Sequence, residues 1–117
     1  SLVLSAQVRH CLESRLNENS DMATIAQALN LSTRTLVRRL QAENTSFLQI
    51  KDQLRQDITL RLLRESQQPV EDIAAQIGFD SLTAFHRAFK TWTGNTPLAY
   101  RRNGERRTGD RRRQNGK

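Results

Sequence analysis

At 117 residues with 36% hydrophobic side chains, the chain is about one ordinary domain or two small modules. The single cysteine, Cys11, excludes an internal disulfide framework and suits a reducing cytoplasm, and no apolar run nears the ~18 residues of a membrane span. The formal net charge of +7 is unevenly placed: residues 101–117 hold eight Arg and Lys against Glu105 and Asp110, a net of +6, leaving +1 for the rest.

Apolar residues recur at three- and four-residue spacings, and no β-branched or aromatic run alternates with period two. The chain therefore reads as all-α. The first helix is expected over about residues 3–18, with Leu4, Val8, Cys11, Leu12 and Leu16 on its apolar face. Ser20 and Asp21 suit the cap of a second helix over roughly 22–29, and Asn30 follows at a position that favours positive φ. Ser32 caps a third helix, about 33–43. A long amphipathic helix, about 47–66, then carries Phe47, Ile50, Leu54, Ile58 and Leu62 at steps of three or four. Beyond Pro69 another helix begins near Val70, with Glu71 and Asp72 favourably placed in its first turn. Gly78 supplies a left-handed turn and Asp80 or Ser81 the next cap. The following helix runs to about Trp92 and stops at Gly94, and Thr96-Pro97 opens a last short helix through Tyr100. Residues 103–117 hold no hydrophobic side chain and are expected to form a disordered basic tail.

One pattern is written twice. The first copy is Ile25-Ala26, Leu29-Asn30-Leu31-Ser32, then Leu36-x-Arg38-x-Leu40. The second is Ile73-Ala74, Ile77-Gly78-Phe79-Asp80, then Phe85-x-Arg87-x-Phe89. Each is a short helix, a tight turn and a longer helix, the arrangement that presents one helix to a DNA major groove. The expected organisation is a first helix-turn-helix module at 1–46, a central linker helix at 47–66, a second module at 67–102 and the tail. At 1.5 Å per residue the linker would be roughly 30 Å long, near the ~34 Å between successive major grooves on one face. Different side chains in the two copies imply an asymmetric site.

Helical geometry selects the outward residues. With Leu36 and Leu40 buried, about 100° per residue puts Arg34, Arg38 and Gln41 opposite, with Val37 on the flank. With Phe85, Phe89 and Trp92 buried, Thr83, Arg87 and Lys90 lie opposite, flanked by Leu82 and His86. Arginine can bond guanine in bidentate fashion, and Val37 or Thr83 can meet a thymine methyl. Arg38 suits a base or a phosphate. Helix N-termini with nearby hydroxyls and amines suit phosphate. These candidates are Ser32, Thr33, Ser46, Lys51, Ser81 and Thr96, joined by Gln41 and Lys90 on the outward faces. Arg55, Asp57 and Arg61 are expected to form local ion pairs.

The run Gly78-Phe79-Asp80-Ser81-Leu82-Thr83-Ala84-Phe85-His86-Arg87-Ala88-Phe89-Lys90, ending in Gly94-x-Thr96-Pro97-x-x-Tyr100-Arg101, resembles the signature of the AraC/XylS family of bacterial transcription regulators. Leu31-Ser32-x-Arg34-Thr35-Leu36-x-Arg38-Arg39-Leu40 fits the less uniform half of that pattern, and the resemblance covers about residues 5–101. It implies a seven-helix DNA-binding domain, usually the C-terminal end of a longer protein whose other domain binds an effector ligand or dimerises. It carries base contact onto Arg34, Val37 and Arg38 in the first module, and onto Leu82, Thr83, His86 and Arg87 in the second. The family leans toward activators that contact RNA polymerase. Pro69, where a serine or threonine cap is usual, and Leu82, apolar where DNA is faced, are departures from the pattern.

Other readings fare worse. A nonspecific architectural DNA binder would need a basic body, and this one is nearly neutral. Some DNA-repair alkyltransferases carry a similar domain, but one Cys and two His, His10 and His86, are too few for a metal site. No cofactor, metal or catalytic role is expected, and no membrane. A pure protein-interaction module would leave the paired outward Arg34 and Arg87 unexplained.

Overall fold

The computed structural model describes residues 3–18 and 20–104. Among them all regular structure is helical: α1 Leu4–Glu13, α2 Met22–Ala28, α3 Thr33–Ala42, α4 Phe47–Glu65, α5 Val70–Gln76 and α6 Leu82–Thr93, with α7 over 97–104. The chain divides inside α4 into two compact units, Ser1–Asp57 and Ile58–Lys117. No described helix is long and apolar enough to cross a membrane. Of the expected tail, 103 and 104 belong to α7 and the remainder lies outside the described residues.

In the first unit α1, α2 and α3 pack against one another around Leu4, Val8, Leu12, Leu16, Ile25, Leu36 and Leu40, joined by Ile50 and Leu54 of α4. Cys11, expected on the apolar face, is only half-buried. Helix α1 is shorter than its apolar spacing predicts. It ends at Glu13, and Arg15 N–H and Glu18 N–H bond carbonyls three residues back, at 2.9 and 3.1 Å. Ser14 and Asn17 are weak helix formers, and this looser turn still buries Leu16. At its other end Val3 offers no capping side chain. Glu43 substitutes: its carboxylate accepts the Ser5 hydroxyl at 2.6 Å and the Ser5 N–H at 3.2 Å. An anion at a helix N-terminus is also favoured by the backbone dipoles.

The two short-helix ends of the duplicated pattern close in the same way. Asn30 (φ 59°) and Gly78 (φ 91°) take the left-handed conformation. Leu31 N–H then reaches Ala26 C=O at 2.9 Å, and Phe79 N–H reaches Ala74 C=O at 3.0 Å. This six-residue closure satisfies carbonyls the helix leaves open. Asn44 (φ 61°) ends α3 likewise, with Thr45 N–H on Leu40 C=O at 3.0 Å.

The second unit is built on Val70, Ile73, Ala74, Ile77, Phe85 and Phe89, with Thr59 and Leu63 from α4. Phe79 meets Phe85 edge to face at 5.6 Å, Phe89 meets Tyr100 at 5.9 Å, and the half-buried Trp92 lies 6.2 Å from both Phe79 and Phe89. Edge-to-face rings at such distances are attractive beyond their burial. Arg101 Nε donates to Leu63 C=O at 3.1 Å, and its Nη2 lies 3.5 Å from Leu62 C=O. A cation thereby closes carbonyls at the C-terminal end of α4, where the dipole is negative.

The long helix departs from the sequence expectation in its second half. Ile50 and Leu54 are buried as their spacing requires, but Ile58 and Leu62 are half-buried while Thr59 and Leu63 are enclosed. A single stripe assumes one core along the whole helix. Each half here is packed by its own unit, so the stripe does not continue in register.

Candidate nucleic-acid interface

Helix α3 starts on Ser32, whose hydroxyl oxygen accepts the Thr35 N–H at 3.1 Å and donates its proton to Thr35 Oγ1 at 3.0 Å. Leu36 and Leu40 are fully enclosed, which leaves Arg34, Val37, Arg38, Arg39 and Gln41 exposed. Thr33, Arg34, Val37, Arg38 and Gln41 line an open groove of about 440 Å³, whose further wall is Met22 from α2. Five of the sequence-selected residues are thus brought together.

The start of α2 is held from two sides. The Asp21 carboxylate accepts the Thr24 N–H at 2.8 Å, a hydrogen bond that lowers its pKa. The half-buried Lys51 amine donates to the Ser20 carbonyl at 3.3 Å. Burial lowers the Lys51 pKa, nearby Arg55 adds to the effect, and Asp21 and Asp52 oppose it. Ser20 itself is buried, so Asp21 is the cap. Arg55 approaches Asp52 at 3.8 Å, as a local pair should. Asp57 instead meets Arg9 of α1 at 2.9 Å and also accepts from Gln53 at 2.9 Å.

In the second unit Ser81, not Asp80, caps α6 by accepting the Ala84 N–H at 3.1 Å. Phe85 and Phe89 point into the core and Leu82, Thr83, His86, Arg87 and Lys90 are all exposed. The His86 ring lies 6.0 Å from that of Phe85. Gly94 ends the helix at φ 78°. Ser46 and Thr96 complete the set of exposed hydroxyls at helix starts, accepting Gln49 N–H at 3.2 Å and Ala99 N–H at 3.1 Å. Their oxygens serve their own helices, so any phosphate would be met by the hydroxyl proton and free N–H groups.

The charge of the body is near zero, yet α3 carries Arg34, Arg38 and Arg39 and α6 carries Arg87 and Lys90, with no acid in either helix. These two helices are basic without opposing acids, whereas α4 mixes Lys51, Arg55, Arg61 and Arg64 with Asp52, Asp57 and Glu65, and α5 carries only Glu71 and Asp72. Among the described residues no cluster of His, Cys, Asp or Glu is arranged to hold a metal. Sequence reasoning missed Met22 because helical periodicity ranks residues within one helix and is silent on what a neighbouring helix contributes. Glu43 and Arg101 were missed for the same reason, each acting 38 residues away.

Two units that each carry a short helix, a left-handed turn and then an acid-free helix with an exposed face define a tandem helix-turn-helix protein. The chain matches the helix-turn-helix domain family over residues 25–103 and belongs to that family, of the AraC type. It is 36% identical over 98 residues to the ornithine utilization regulator of Pseudomonas aeruginosa, covering 84% of this chain and 29% of that protein. It is 38% identical over 96 residues to the transcriptional activator CfaD of Escherichia coli, covering 82% and 36%. The chain therefore spans about a third of these relatives. The DNA-binding domain of AdpA, a global transcriptional factor solved in complex with a target DNA, is 32% identical with a TM-score of 0.78, covering 92% and 96%. A DNA-binding transcriptional dual regulator of Escherichia coli shares the fold at a TM-score of 0.85 and 23% identity, covering 91% and 96%.

Proposed function

We propose that this chain is the part of a bacterial transcription regulator that reads double-stranded DNA, placing α3 and α6 in successive major grooves of an asymmetric promoter site. The observation that carries the reading is the paired exposure. In both copies the core takes two apolar residues four apart, Leu36 with Leu40 and Phe85 with Phe89, and leaves a basic face outside. A relative of 32% identity was solved on its target DNA, which supports it.

Arg34, Val37 and Arg38, with Leu82, Thr83, His86 and Arg87, meet base edges in this reading. The guanidiniums are suited to guanine O6 and N7, and the apolar and threonine methyls to thymine. Ser32, Thr33, Gln41, Ser46, Lys51, Ser81, Lys90 and Thr96 set the register on phosphate. Relatives named as activators, CfaD among them, support a role in activation, for which RNA polymerase is the proposed partner. An effector ligand belongs to a further domain of the kind the longer relatives have room for. The named relatives are regulators, not enzymes, and no catalytic role is assigned.

Selection of duplexes from a random pool, followed by titration at several salt concentrations, tests the reading. A recovered asymmetric sequence should bind at least 10³-fold more tightly than random DNA, with both affinities falling as salt rises. Equal affinity for selected and random duplexes would show a nonspecific binder and overturn it.

A further inference from the structure

Among the described residues, Met22 is the one lining the α3 groove that α3 does not supply. It occupies the first position of α2, directly after the Asp21 cap, and is half-buried. Its backbone is fixed on both sides by the Asp21–Thr24 bond at 2.8 Å and the Lys51–Ser20 bond at 3.3 Å. Val37 lines the same groove and is 38% exposed. Two apolar side chains are therefore presented beside Arg34, Arg38, Thr33 and Gln41, a face otherwise made of guanidinium, hydroxyl and amide groups. A phosphate-binding surface gains nothing from such side chains. The major groove, however, displays one apolar group, the C5-methyl of thymine. An unbranched thioether adapts to a small apolar partner better than a branched side chain does.

Resting on the base-reading assignment of α3, we propose that Met22 and Val37 form an apolar notch for a thymine methyl beside the guanine-reading arginines. Met22 is then a specificity-determining residue outside the recognition helix. A merely supporting Met22 would brace α3 and affect every duplex alike. The notch makes binding depend on one methyl group at one position.

The test uses the 117-residue chain and its selected duplex, with each thymine in turn replaced by deoxyuridine. That replacement deletes the C5-methyl and keeps the pairing edge. At one position in the half-site whose preference relaxes in Arg34→Ala, the wild-type chain should bind the deoxyuridine duplex about fourfold more weakly. That factor corresponds to the about 0.8 kcal/mol of one buried methyl-sized group. Met22→Ala should lose most of the discrimination, and Met22→Leu, apolar but branched, should keep part of it, with matching unfolding midpoints by circular dichroism. Equal weakening of Met22→Ala on both duplexes makes Met22 a brace and overturns the proposal. So does a wild-type chain indifferent to every methyl in that half-site. If Arg34→Ala shifts no base preference, the base-reading assignment fails as well. If it does shift preference while deoxyuridine has no effect, the notch alone fails.

Discussion

Replacing Arg34 or Arg87 by alanine separates reading bases from holding phosphates. Both side chains are exposed, and the core under them is carried by Leu36, Leu40, Phe85 and Phe89, each at 0% exposure. Truncation should therefore leave the unfolding free energy within about 0.5 kcal/mol of wild type, as for surface positions generally. A bidentate arginine–guanine pair is worth about 1–3 kcal/mol of discrimination, or about 5- to 150-fold in affinity for the selected duplex. On random DNA only one phosphate-range charge is lost, so the salt slope should fall by about 1 with a smaller drop in affinity. Arg→Lys gives a sharper contrast, because lysine keeps the charge and lacks the planar fork. Fluorescence anisotropy at three salt concentrations on both duplexes measures all four variants. Arg34→Lys and Arg87→Lys should bind random DNA like wild type and the selected duplex more weakly than wild type, short of the alanine loss only by the factor that alanine also loses on random DNA. Losses by equal factors on the two duplexes would place both arginines on phosphate and refute the assignment.

The caps give two further expectations. Ser81→Ala removes the acceptor of the Ala84 N–H and should cost about 1 kcal/mol in urea unfolding, while Asp80→Ala should cost little because Asp80 is not the cap. Asp21 has its pKa held below 3.8 by the Thr24 hydrogen bond, so its contribution is complete above 3.8 and fades as pH falls through the folded value. Asp21→Asn, which caps without titrating, should show a shallower acid limb of melting temperature against pH; identical limbs would remove Asp21 from the acid response.

Local chemistry was legible in the sequence. Ser32, Asn30, Gly94 and Thr96 sit where their capping and turn preferences put them, because each acts within a few residues of itself. The outward face of each recognition helix was legible too, since two buried apolar residues fix the rotation of a short helix. Contacts between helices were not. The Glu43 cap of α1, the Arg101 closure of α4 and the Met22 wall of the groove all depend on which helix lies beside which. Capping is equally ambiguous when adjacent residues both qualify: Ser20 and Asp21 were both candidates, and burial of Ser20 leaves the role to Asp21.

The sharpest disagreement between sequence and structure concerns Leu62 and Leu63, and it can be measured. Continuing the stripe from Ile50 and Leu54 selects Leu62, whereas the second unit encloses Leu63 at 2% exposure and leaves Leu62 half-buried. Deleting an enclosed leucine side chain costs its transfer free energy and leaves a cavity, about 3–5 kcal/mol together. A half-buried leucine loses only part of the transfer term and opens no closed cavity, about 1 kcal/mol. Both variants keep good helix propensity, alanine being the best helix former, so a difference reports packing and not helix formation. Leu63→Ala should therefore lower the urea midpoint far more than Leu62→Ala, with helical content retained by both in the absence of denaturant. The carbonyls that Arg101 reaches belong to these same two residues, but they are backbone groups and survive either substitution. A larger cost at Leu62 would mean that one continuous stripe runs the length of α4 and that the second unit is packed on the other face.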